Sequence, residues 1–128
     1  MKTAAKASFQ SFYSLLSLPA FMSFTGSEGT FIELGVGHDL TSCYQGEHTD
    51  EVRGYFFGKT KLQSLLNQPG CVGIRIYYGQ DGTGPKLVLA GVTNNENDII
   101  TLVLDAGVPS PPASGISNQL NNITSIIL

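Results

Sequence analysis

Tryptophan is absent, cysteine occurs twice, and only 13% of the 128 residues carry a formal charge. Each shortage excludes something. Two cysteines, Cys43 and Cys71, cannot make the framework of a small disulfide-stapled scaffold, and a chain of this length does not need one. Whether they pair with each other or remain thiols, the sequence does not choose. Seven Lys+Arg against ten Asp+Glu give a net charge of -3 with no basic run, which excludes the electrostatic footprint of a nucleic-acid binder. The apolar run near the N-terminus is too short and too polar to cross a bilayer. The low charge, about half the usual share, leaves a large neutral surface that repels copies of itself less than average.

What is present points to one domain spanning 1–128. A hydrophobic content of 41% is enough for a real core, while 15 glycines and 6 prolines mark many turns. The centre of the chain carries three apolar runs, Cys71–Gly79, Lys86–Val92 and Ile99–Leu104, separated by a Gly/Asp turn and an Asn/Asp turn. This is the pattern of an antiparallel three-stranded meander over about 72–104. Leu87, Leu89 and Gly91 alternate with Val88, Ala90 and Val92, so both faces of the middle run are apolar and it belongs at the centre of the sheet.

Upstream, Ala5, Phe9, Phe12 and Leu16 fall on one side of a helical period, with Lys6, Gln10, Ser14 and Ser17 opposite. The spacing predicts an amphipathic helix over 3–18, ended by Pro19. A signal peptide is the competing reading, opposed by Gln10 and the serines that dilute its core. The cytoplasm is therefore preferred over export. Ile32, Leu34 and Val36 alternate with Phe31, Glu33 and Gly35, which predicts a strand over 30–36 closed by a turn at Gly35 and Gly37. A short helix is expected over 40–45, capped by Asp39, and an aromatic strand over 52–57. Thr60 and Gln63 have capping-box spacing ahead of Leu62, Leu65 and Leu66, predicting a helix near 61–67. The expected fold is α+β: an antiparallel sheet built on the meander, packed by the N-terminal helix and the short helix. The core is placed at 30–105 and a Pro-rich extended arm at 106–128.

The run Asn67–Gly79 followed by Lys86–Val92 and Asn97-Asp98 resembles small uncharacterised proteins of Bacteroidetes-type bacteria. In that group a Cys-Pro-Pro-x-x-Cys-like or Cys-Pro-Pro-x-Cys-like element follows the third strand, and the matching position here is Ser110-Pro-Pro-Ala-Ser114. The resemblance implies a bacterial source and no activity. It also implies that a disulfide or metal role of that element is missing, because serines stand in place of the cysteines.

No motif carries catalysis by itself. Gly35-Val-Gly37 lacks the third glycine and long following helix of a dinucleotide loop, and Gly79–Gly84 has Pro85 where a phosphate loop needs lysine, so it reads as a hairpin. The mixed segment His38–Glu51 holds His38, Cys43 and His48, weak candidates for a metal site or a thiol nucleophile with its base. Their five-residue steps match no common zinc spacing. Tyr55, Phe56, Phe57, Tyr77 and Tyr78 offer an aromatic sheet face for a ligand. No cofactor is expected.

The favoured function is a non-enzymatic interaction or assembly module, self-associating through apolar terminal segments. Its partner is expected to be a protein, either a second copy or one encoded in the same operon. The contact residues assigned to it at the N-terminal end are Phe9, Phe12, Leu16, Phe21 and Phe24, and at the other end Ile126, Ile127 and Leu128. A small metal- or thiol-dependent enzyme centred on His38 to His48 is the first alternative, and a ligand-binding module using the aromatic face is the second.

Overall fold

A computed structural model describes residues 23–121. The expected helix over 3–18, and the contact residues Phe9, Phe12, Leu16, Phe21, Ile126, Ile127 and Leu128, lie outside that range.

Helix α1 spans Leu34–Glu47, strand β1 Gly54–Phe56, helix α2 Lys59–Leu66, and strands β2 Cys71–Asp81, β3 Gly84–Thr93, β4 Asp98–Leu104 and β5 Val108–Ser110. The fold is α+β. Strands β2, β3 and β4 form the antiparallel meander in that spatial order, with β3 central, and β1 pairs with β5 in a separate two-stranded ribbon.

The β2–β3 hairpin closes on Asp81-Gly-Thr-Gly84, where Gly84 takes a φ of +128°. The Asp81 carboxylate accepts the Thr83 backbone N–H at 2.8 Å and the Thr83 hydroxyl at 2.6 Å. These bonds, the hydroxyl first, hold the Asp81 carboxyl below its ordinary 3.8, and the nearby Lys86 ammonium adds to the effect. A depressed folded value means that the turn's contribution is complete above the unfolded value and is lost as pH falls through the folded one. Asp81→Asn is therefore expected to flatten the acid limb of thermal stability, measured by circular-dichroism melts between about pH 2 and 5. Glu28, held below its ordinary 4.5 chiefly by the Thr25 backbone N–H, acts in the same direction, so part of the slope should survive in the Asp81 variant.

Both faces of β3 are covered, as its sequence predicts. Leu89, 4% exposed, and Gly91 face α2, which presents Leu65, 2% exposed, while Ala90 and Val92 are buried on the other side. A Cβ on Gly91 would come within 3.2 Å of the Leu65 carbonyl oxygen, so α2 lies almost on the strand backbone. Over the opposite face, the Phe24 backbone N–H donates to the Asn94 carbonyl at 2.9 Å, and the Phe24 ring meets the Arg75 guanidinium at 5.7 Å.

Several local expectations are overturned. The segment 30–36 is not a strand: Leu34 opens a 14-residue helix that absorbs both the turn expected at Gly35–Gly37 and the short helix expected over 40–45. Its N-cap is Glu33 rather than Asp39, with no side-chain cap bond. The reason is tertiary. The helix buries Gly37 and Gln45, two turns apart, against Leu120: the Leu120 side chain would sit 3.2 Å from a Cβ on Gly37, and the Gln45 side-chain amide donates to the Leu120 carbonyl at 2.8 Å. The alternating Ile32, Leu34 and Val36 are all exposed. The capping box at Thr60 also fails, because α2 starts two residues earlier, with Gly58 as N-cap, no side-chain cap bond, and the Gly58 carbonyl accepting Leu62 N–H at 3.1 Å. The aromatic strand is shorter than 52–57. The Pro-rich arm is not continuously extended, since Val108–Ser110 pairs with β1 and the chain then turns, Ala113 N–H donating to the Pro109 carbonyl at 3.1 Å.

The ribbon meets the meander at the hairpin end, where the Tyr55 hydroxyl donates to the Pro85 carbonyl and brings β1 beside Tyr78 and Lys86. Just past the ends of β1 and β5 the Phe57 ring lies against Gly107, where a Cβ would fall 2.7 Å from the nearest ring carbon.

Candidate functional site

His38, Cys43 and His48 share one helix and its C-terminal cap, and the helix keeps them apart. Five residues advance about 7.5 Å and rotate about 140°, so neither step brings two of these side chains onto one face. His38 Nδ1 donates to the Gln119 carbonyl and His48 Nδ1 to the Tyr44 carbonyl, each at 2.7 Å. A carbonyl oxygen only accepts, so Nδ1 carries a proton in both rings. These bonds orient the two imidazoles toward structural tasks at the helix's packing partner and cap. Cys43 is an exposed free thiol, and among the described residues no hydrogen bond joins it to either histidine. No group of three His, Cys, Asp or Glu able to hold a metal forms among the described residues. Cys71 is also a free thiol, half-buried, with its sulfur donating to the Gly73 carbonyl at 3.2 Å. The two cysteines are not paired.

Phe24, assigned to association by its sequence context, is half-buried and engaged within the chain by Arg75 and Asn94. The aromatic face divides. Strand alternation sends Tyr77 and Tyr78 to opposite sides of β2, and Tyr77 donates its hydroxyl to Asp98, which also pairs with Arg75 at 2.7 Å. Phe56 is exposed and Phe57 is taken up by Gly107.

Tyr55 and Tyr78 meet instead at the junction of ribbon and hairpin, together with Tyr44 from α1. They line a cleft of about 260 Å³ whose charged members are Arg53 and Lys86. Among the described residues the one ion pair is Arg75–Asp98, so neither of these cations has a carboxylate within 4.0 Å. Two rings are fixed in place. Tyr55 is held by its hydroxyl on Pro85, and Tyr44 stacks on His48 at 3.8 Å between centroids with 10° between planes. The aromatic count of the sequence singles out Tyr55 and Tyr78, but Tyr44, Arg53 and Lys86 carry no sequence signal. They are 42 residues apart at the extremes and meet only when β1 docks on the hairpin.

A larger cleft, about 420 Å³, lies between Phe24, Glu28 and β2. Its polar groups are already committed. The Glu28 carboxylate accepts Thr25 N–H at 2.7 Å and Gly26 N–H at 2.9 Å, and Arg75 is bound to Asp98. The smaller cleft is therefore the one with unpartnered charge.

The outer surface is apolar to an unusual extent. Among the described residues seventeen large hydrophobic side chains are exposed against four buried apolar residues. Six of them lie over 31–44, and three, Ile100, Leu102 and Val103, lie on β4, where the pairing register slips between Ala90 and Gly91 and leaves Ile100, Thr101 and Leu102 with no partner on β3. Ile100 is 80% exposed and Val103 57%.

Comparison of the chain with known protein families, with curated proteins and with solved structures finds no match. No helix among the described residues is long and apolar enough to cross a membrane.

Proposed function

We propose that the chain is a non-enzymatic assembly module that associates with a second copy of itself through the apolar surface at β4. The observation that carries this reading is the excess of exposed over buried apolar side chains, because contiguous exposed apolar surface in a folded domain marks an interaction site. Charge favours a second copy as the occupant. Ile99, Ile100, Thr101, Leu102 and Val103 include no ionisable group, and Lys61 of α2 borders them only beside Leu102 and Val103, so a twofold contact centred on Ile100 brings few like charges together. The bulge at Ile100–Leu102 turns the edge of β4 away from ladder pairing, so the contact buries side chains rather than extending the sheet. Phe9, Phe12, Leu16 and Phe21 near one end of the sequence and Ile126, Ile127 and Leu128 near the other are of the same apolar character.

Sedimentation equilibrium tests it. The full chain is expected to be a dimer at micromolar concentration, and Ile100→Lys, at a position exposed enough to leave the fold intact, is expected to raise the dissociation constant by roughly tenfold or more. A chain that stays monomeric, or a dimer indifferent to Ile100→Lys, overturns the reading. A monomer whose own terminal segments protect β4 from amide exchange would show that the apolar surface is covered internally.

A further inference from the structure

We infer that the cleft between Tyr44, Tyr55 and Tyr78 is a binding site for a single flat-faced ring bearing one carboxylate. The site is independent of self-association, since none of its lining residues belongs to β4.

Three observations lead there. First, the aromatic walls are set before any ligand arrives: Tyr55 by its bond to Pro85, and Tyr44 by its stack on His48, whose own ring is fixed by the bond from Nδ1 to the Tyr44 carbonyl. Preorganised rings lose little freedom on binding, which is the main cost of capturing a small molecule. Tyr78 is 93% exposed, an orientation that gives up burial of a large aromatic side chain and leaves it free to cover a ligand's face. Second, Arg53 and Lys86 border the same space without an ion-pair partner among the described residues. A guanidinium offers two parallel donors that fit a carboxylate, and the ammonium adds a second positive charge, tempered by Asp81 at longer range. Third, a cleft of about 260 Å³ has room for one ring and its substituent. The remaining lining is apolar, Val52, Pro85 and Leu87, which suits the face of a ring rather than a bare inorganic anion.

A ring carboxylate of this kind has two sources, an aromatic acid or a uronic acid sugar. The absence of tryptophan makes the tyrosine signals easy to follow. Aromatic carbon–proton NMR titrations of the full chain with benzoate and with glucuronate, each beside its neutral counterpart benzamide or glucose, separate the sources. One acid is expected to shift the ring resonances of Tyr44, Tyr55 and Tyr78 saturably, with its neutral counterpart at least about fivefold weaker. Arg53→Gln is expected to weaken the acid by roughly tenfold and leave the neutral counterpart unchanged. Tyr78→Ala, at a position too exposed to affect folding, should weaken both. If neither acid gives a saturable shift, if the neutral compound binds as tightly as its acid, or if a folded Tyr78→Ala chain binds as the parent does, the site is not what we infer.

Discussion

Replacing Gly91 with valine is expected to lower the unfolding free energy by about 3 kcal/mol or more, enough to threaten a domain whose total stability is typically about 5 to 15 kcal/mol. Even the first added carbon has nowhere to go. It would lie 2.8 Å from Gln68 Nε2, 2.9 Å from Cys71 Sγ and 3.2 Å from the Leu65 backbone carbonyl oxygen. The first two atoms belong to side chains that can swing, but each is held: Gln68 Nε2 donates to the Leu65 carbonyl at 2.9 Å and Cys71 Sγ to the Gly73 carbonyl at 3.2 Å. The third is backbone at the end of α2 and moves only if the helix moves. Alanine should cost less, about 1 to 3 kcal/mol, through loss of the Gln68 bond and a small shift of α2. The γ carbons of valine would lift the helix from the sheet. Thermal melts check this, with a fall of about 4 °C expected per kcal/mol at this chain length.

Leu65→Ala should be of similar size, about 2 to 5 kcal/mol. Leu65 is 2% exposed, and it is the buried residue of α2, a helix of eight residues that cannot persist alone. Removing its side chain takes away the apolar contact that docks α2 on β3 and opens a cavity opposite Leu89. Because Gly91 and Leu65 act at one contact, the double replacement is expected to cost less than the sum of the singles. The order of loss also discriminates. Amide exchange in α2 should accelerate in both variants before exchange in the middle of β3, because β3 keeps its two ladders after the helix has gone. Equal acceleration throughout the sheet would show that α2 and the meander form one cooperative unit.

The meander was legible because strands and turns write themselves locally. Alternating apolar residues in Val72–Tyr78, the double-faced run Leu87–Val92, and Gly and Asn at the two reversals are short-range signals, which the pairing register follows without a break from Gly73 to Asp81 on β2 and interrupts only at Val72 and at Ile100–Leu102. Helix α1 was not legible for the opposite reason. Its buried stripe is Gly37 and Gln45, and its partner is the Leu120 region some eighty residues later, so the apolar period on which sequence reading depends points to the wrong element. The same distance hid the tyrosine cleft. Tyr55 and Tyr78 stand out as aromatics, but nothing near Arg53 or Lys86 says that β1 will pair with β5 and bring them together.

By itself, then, the sequence determined the α+β class, the three-stranded sheet with β3 at its centre, the scarcity of charge and the hairpin at Gly79–Gly84. All of these follow from composition or from contacts within a few residues. Only the tertiary structure decided which histidines are held by carbonyls, that Cys43 and Cys71 stay apart, that β4 slips register against β3 with Ile100 exposed, and that three tyrosines and two cations share one cleft. Each of these depends on segments distant in sequence meeting in space. The free energy of such a meeting lies in packing and hydrogen bonds between them, which no local period records.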